Sequence, residues 1–134
     1  MENSLGQYCV NVADIERSVA FWRDVVGLPV QSETEIPGVR EVVLQAEAGG
    51  SRIQLAQHDD IPGPIDMGTA MWKLYVDTDD CQAVYDKAVA FGCESVMEPQ
   101  QLDRWPVTVA FVKDPDGYLI EFVQNHEGRR PALR

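Results

Sequence analysis

The chain repeats itself, and that repetition restricts its fold more than any other feature. Residues 7–12 alternate with period two: Tyr8, Val10 and Val12 share one face, and Gln7, Cys9 and Asn11 the other. Asp14 then caps a predicted helix whose apolar stripe is Ile15, Val19, Trp22 and Val26, widened by Phe21 and Val25. Arg17 stands where a capping box would prefer Glu. Gly27 ends the helix, and strands are predicted at 28–36, 39–47 and 51–57, with Pro37-Gly38 and Gly49-Gly50 at the turns. Residues 58–70, rich in Pro, Gly and Asp, read as a linker. The pattern then restarts. A strand is expected over 71–76 and a helix over 79–91, with Ala83, Val84, Ala88 and Phe91 on its stripe and Gly92 at its end. Strands at 94–98, 107–113 and 118–124 complete the second copy, the last two joined by Asp114-Pro115-Asp116-Gly117.

Superposing the halves matches Val10 and Val12 with Leu74 and Val76 at an offset of 64. Gly27 matches Gly92 at 65, and Ile53-Gln54-Leu55 matches Ile120-Glu121-Phe122 at 67. The order β-α-β-β-β is read twice, an α+β plan of two βαβββ modules whose cupped, partly closed mixed sheet carries the helices outside. One domain is expected over 1–134: module 1 at about 5–57, the linker, module 2 at about 71–126 and a tail at 127–134.

Composition excludes several classes. The 134 residues include 11 basic and 22 acidic ones, a net charge of −11 that disfavours phosphate backbones and anionic membranes. Arg129, Arg130 and Arg134 gather in a C-terminal tail too short to act as a nucleic-acid arm. No apolar run approaches a transmembrane length, and the first residues lack the basic and apolar regions of a secretory signal, so the expected location is the cytoplasm. Cys9, Cys81 and Cys93 are odd in number and show no CxxC spacing, which argues for free thiols rather than disulfides or structural zinc.

Two segments on this repeated plan resemble a known family. CVNVADIERSVAFWRDVVGLPV is similar to the opening strand and helix of the vicinal oxygen chelate superfamily, the glyoxalase / bleomycin-resistance / extradiol dioxygenase group. VKDPDGYLIEFVQ resembles its closing hairpin, D-P-D-G-x-x-I-E-hydrophobic. The resemblance implies a small-molecule cavity between the modules and a homodimer. It also implies four metal-ligand points, which here fall on Gln7, Gln54, Met71 and Glu121. The repeat offsets select the same pairs, Gln7 with Met71 and Gln54 with Glu121.

One carboxylate, two amides and a thioether suit Zn²⁺, Ni²⁺ or Fe²⁺ poorly, so no cofactor is expected. Were a divalent metal bound, Gln7, Gln54 and Glu121 would hold it. The dioxygenase branch needs two imidazoles, and His58 and His126 lie at strand ends away from those points. Glu121 is the candidate catalytic acid/base. Lys73 and Tyr75 share the parity of Met71, and Arg52 that of Gln54. These residues, with Gln7 and Cys9, are the candidate ligand-binding set. Either cation could hold an anion or simply pair with Glu121. Trp105 is either an aromatic clamp on the ligand or ordinary packing, and Trp22 and Trp72 are expected in the core. The function expected is metal-independent binding of a small organic molecule; the alternative is a glyoxalase-type lyase or isomerase, or an epimerase or hydrolase, working through Glu121. Neither reading calls for nucleic acid or membrane.

Overall fold

A computed structural model of the chain describes residues 1–127; the expected tail lies, beyond Glu127, outside the described residues. The chain divides into two compact units, Met1–Asp66 and the portion from Met67 onward. Unit 1 runs β1 (Gln7–Asn11), α1 (Ile15–Ala20, continued as one π-helical turn Phe21–Val25), β2 (Val30–Ile36), β3 (Val39–Leu44) and β4 (Arg52–His58). Unit 2 runs β5 (Leu74–Asp77), α2 (Cys81–Phe91), β6 (Glu94–Gln101), β7 (Val107–Lys113) and β8 (Leu119–Asn125). Each forms its own four-stranded mixed sheet, in the orders β1-β4-β3-β2 and β5-β8-β7-β6, and neither sheet closes into a barrel. No helix among the described residues is long and apolar enough to cross a membrane.

The two sheets share one logic. The first strand of each unit pairs in parallel with the last, and the other neighbours are antiparallel. A parallel neighbour requires a crossover, and the helix supplies it. One face of each sheet is apolar and covered by that helix: Val10, Val12, Val42, Leu44, Ile53 and Leu55 are buried in unit 1. Ala110, Val112, Ile120 and Phe122 are buried in unit 2. On α2 the buried stripe is Cys81, Val84, Tyr85 and Ala88, spaced i, i+3, i+4, i+7. Ala83 is exposed, since the stripe through Val84 and Ala88 continues to Cys81 and Tyr85 instead, and Phe91 is only half-buried; the helix begins after the Asp80 cap, two residues later than expected. On α1 the wide turn, closed by Val26 N–H on the Phe21 carbonyl, rotates the face. Ser18, Phe21, Trp22 and Val25 are buried there, while Val19 and Val26 are only half-buried.

Two glutamines repeat the same device in both units. Gln57 Oε1 accepts the Ile15 N–H at 2.8 Å, and Gln124 Oε1 accepts the Cys81 N–H at 2.9 Å. Each last strand thus satisfies one free donor of its helix's first turn and fixes where the helix sits. Gly27 (φ 89°) and Gly92 (φ 110°) end the helical segments in a left-handed conformation that a side chain would strain.

These pairings correct the repeat offset. Val10 lies opposite Leu55 and Val76 opposite Phe122. Val12 N–H donates to the Ala56 carbonyl, and Thr78 N–H to the Val123 carbonyl. The first strands therefore superpose at an offset of 66, not 64, and the position equivalent to Gln7 is Lys73. Met71 lies two residues upstream, before β5 begins. Trp72, expected in the core, also precedes the strand, and it is 76% exposed.

The turn between β7 and β8 is built on Asp114. Its Oδ1 accepts backbone N–H groups from Asp116, Gly117 and Tyr118 at 2.9–3.1 Å. Burial pushes the carboxyl up to about 7 against the lowering effect of those donors. The folded protein therefore holds this proton more tightly than the unfolded chain, whose aspartates titrate near ~4. The resulting stability is complete below that value and is lost as pH rises through about 7. In urea denaturation at a series of pH values, wild type should lose on the order of 2–4 kcal/mol between pH 4 and pH 7.5 relative to Asp114→Asn. Parallel profiles for the two proteins would contradict this.

Candidate functional site

The face of each sheet turned away from its helix carries the polar residues. In unit 1, register places Gln7, Cys9 and Asn11 of β1 beside Arg52, Gln54 and Ala56 of β4. Cys9 lies opposite Gln54, and Gln54 opposite Val43. The side chains form a chain of hydrogen bonds: Gln7 Nε2 donates to Gln54 Oε1 at 2.6 Å, and Gln54 Nε2 donates to Glu41 Oε2. Glu41 was not among the residues singled out from the sequence. Its alternation with Val42 and Leu44 on β3 was the available signal. Burial, and then the Glu41 charge, push the Cys9 thiol up, which disfavours a thiolate nucleophile. The Arg52 N–H bonds the Gly6 carbonyl at 3.3 Å, and the Arg52 side chain is exposed at the start of β4.

In unit 2 the same face carries an ion pair. Tyr75 of β5 lies opposite Glu121 of β8, which lies opposite Phe111 of β7. Lys73, two residues before Tyr75, reaches Glu121: Nζ donates to Oε1 at 2.6 Å, with side-chain exposures of 11% and 10%. Three rings surround the ammonium, with Trp72, Tyr75 and Phe111 centroids at 4.0, 4.9 and 5.2 Å from Nζ. Burial opposes the lysine charge, but hydrogen bonds to Glu121 and Tyr75, and their charges, outweigh it, so Lys73 is held above the usual lysine range. Beyond Phe111 the face turns apolar: Val107, Val109 and Val123 are buried, with Met97 and Leu102 packed on them.

Met71, Trp105 and the two histidines have other environments. Met71 precedes β5 and is 42% exposed. Trp105 lies in the loop before β7, under Arg104 (Cζ 5.5 Å from the ring centroid). That end of β7 pairs with Asn125, about 13 Å along β8 from Glu121. His126 Nε2 bonds Thr108 Oγ1 at 2.7 Å, and His58 ends β4.

The donor set can be tested against a divalent metal. Gln54 Oε1 is engaged by Gln7, and Glu121 Oε1 by the Lys73 ammonium. Lys73, at the position equivalent to Gln7, offers a positive charge instead of a lone pair. Among the described residues no group of three or more His, Cys, Asp or Glu side chains could hold a metal ion. These residues do not fit a metal as a family of carboxylates and imidazoles would.

Removing one partner of the ion pair strands a charge in a nearly buried place. Lys73→Met should therefore cost about 3 kcal/mol in urea denaturation, and adding Glu121→Leu should restore most of it. A single-variant loss below about 0.5 kcal/mol would mean a solvated surface bridge instead.

Comparison with known proteins agrees with this fold. Residues 4–122 match the Glyoxalase/Bleomycin resistance protein/Dioxygenase superfamily. The lactoylglutathione lyase of Haemophilus influenzae is 31% identical over 120 residues, covering 87% of this chain and 88% of that protein. Among solved structures, glyoxalase I from Zea mays aligns with a TM-score of 0.81 at 20% identity, covering 90% of this chain. The chain spans about half of the maize protein, 44% of its length. TnmS3, an antibiotic binding protein from Streptomyces sp. CB03234, aligns at 0.72 with 20% identity, covering 92% of this chain and 97% of that one. The chain belongs to the glyoxalase / bleomycin-resistance / dioxygenase superfamily.

Proposed function

We propose that the protein is a glyoxalase-type lyase or isomerase that moves a proton between adjacent carbons of a small hydroxycarbonyl compound, with Glu121 as the acid/base. The observation that carries this is the nearly buried Lys73–Glu121 pair, 2.6 Å apart, on the open face of the second sheet. A carboxylate fixed in place and largely out of bulk water on the open face of a sheet is a candidate general base for a ligand bound there. Relatives at this level of identity named as lactoylglutathione lyases support the reading.

The chemistry follows from that name. A lactoyl thioester is the isomer of the adduct between a thiol and a 2-oxoaldehyde. Their interconversion takes the proton from the thiol-bearing carbon to the Glu121 carboxylate, leaving an enediolate. The carboxylic acid then returns the proton to the neighbouring carbon, while the hydroxyl proton passes between the two oxygens. No atom is lost and no oxidant is needed.

A second reading, sequestration of a small organic molecule without turnover, is favoured by the aromatic surroundings. Trp72 and Tyr75 are 76% and 51% exposed around the ammonium and offer faces to a flat ligand. Glu121→Gln separates the two readings. With the glutathione adduct of methylglyoxal, or failing that a panel of thiol–oxoaldehyde adducts, the enzyme reading expects kcat/KM to fall about 10²–10⁴-fold with the fold intact. Wild-type protein that binds such compounds and releases them unchanged would overturn it in favour of sequestration.

A further inference from the structure

We infer that Lys73 replaces a metal: its ammonium supplies the fixed positive charge at a point where the family resemblance would place a ligand to a divalent cation. The strand register carries this. Gln7 lies opposite Arg52, two residues before the Cys9–Gln54 pair, and Lys73 lies two residues before the Tyr75–Glu121 pair. With Gln54 equivalent to Glu121, the partner of Gln7 in the repeat is a lysine. The Lys73 side chain turns to the same face as Glu121 and its Nζ bonds Glu121 Oε1.

The replacement is consistent at every contact. An ammonium cannot coordinate a metal, and it repels one. It neutralises Glu121 where an ion would otherwise do so. The rings of Trp72, Tyr75 and Phe111 at 4.0–5.2 Å stabilise a monovalent cation in place. In unit 1 the amides of Gln7 and Gln54 are committed to each other and to the Glu41 carboxylate. The inference deepens the proton-transfer reading, on which its catalytic half rests: the group that holds the enediolate oxygen is Lys73, and the ligands of this site are compounds bearing or developing an anionic oxygen. Being a charge built into the chain, it cannot be removed by chelators.

Metal binding tests the replacement without reference to turnover. Ni²⁺ and Zn²⁺ would be titrated into wild type, Lys73→His and Lys73→Gln at pH 8, with folding checked by circular dichroism. Wild type should bind neither ion stoichiometrically. Removing the ammonium should tighten Ni²⁺ binding by roughly a hundredfold or more, since a unit charge about 4 Å away in a partly screened site outweighs that factor. Lys73→Gln carries the comparison if the histidine variant folds poorly. One ion per wild-type chain, released by Glu121→Gln, overturns the inference, and so does the failure of both uncharged variants to gain affinity. A wild type that binds no metal and turns over no adduct would sink the enzyme reading while leaving the replacement standing. Stoichiometric metal with turnover would do the reverse.

Discussion

The parallel pairing of first and last strand in each unit is the constraint from which the rest follows. It requires a crossover, so a helix must cover one face of the sheet. Covering that face takes Val10, Ile53, Leu55, Val76, Ile120 and Phe122, and strict alternation then turns Gln7, Gln54 and Glu121 to the other face. Gln57 and Gln124 then fasten each helix by its first turn to the strand that bears Gln54 or Glu121. Position on the polar face is thereby set by packing on the apolar one. A one-residue slip would bury Glu121 beneath α2 and expose Phe122.

The two polar faces have different electrostatics, although they are built alike. Unit 1 presents amides that saturate one another and end on Glu41. Unit 2 presents opposite charges in contact, shielded by aromatic rings. In an acidic chain with three lysines, one of them is placed with its charged end almost out of water. Such a pair adds little to stability compared with apolar packing of the same volume.

Much of this was legible in the sequence. The family resemblance singled out Gln7, Gln54 and Glu121, and alternation agreed for Gln7 and Glu121, because a two-residue period sorts side chains without knowledge of partners. The same period explains the error at Met71. Offsets of 64 and 66 give identical parity, and only hydrogen-bond register distinguishes them, so a thioether was set where the fold sets an ammonium. Trp72 was assigned to the core by extending that alternation beyond the true start of β5. The glutamine caps, the Glu41 terminus and the ring of aromatics around Lys73 depend on contacts between residues far apart in sequence. Gln57 and Gln124 did recur at the offset of 67 already seen for the last strands, which was the one hint available.

The account stands on the contact between Lys73 and Glu121, and nitrogen NMR of the lysine side chains reads that contact directly. Only Lys73, Lys87 and Lys113 contribute signals. The account predicts one ammonium resonance protected from solvent exchange, which disappears into the fast-exchanging pool when Glu121 is replaced by Gln. Three lysines exchanging equally fast in the wild-type protein, with no change on that substitution, would contradict it.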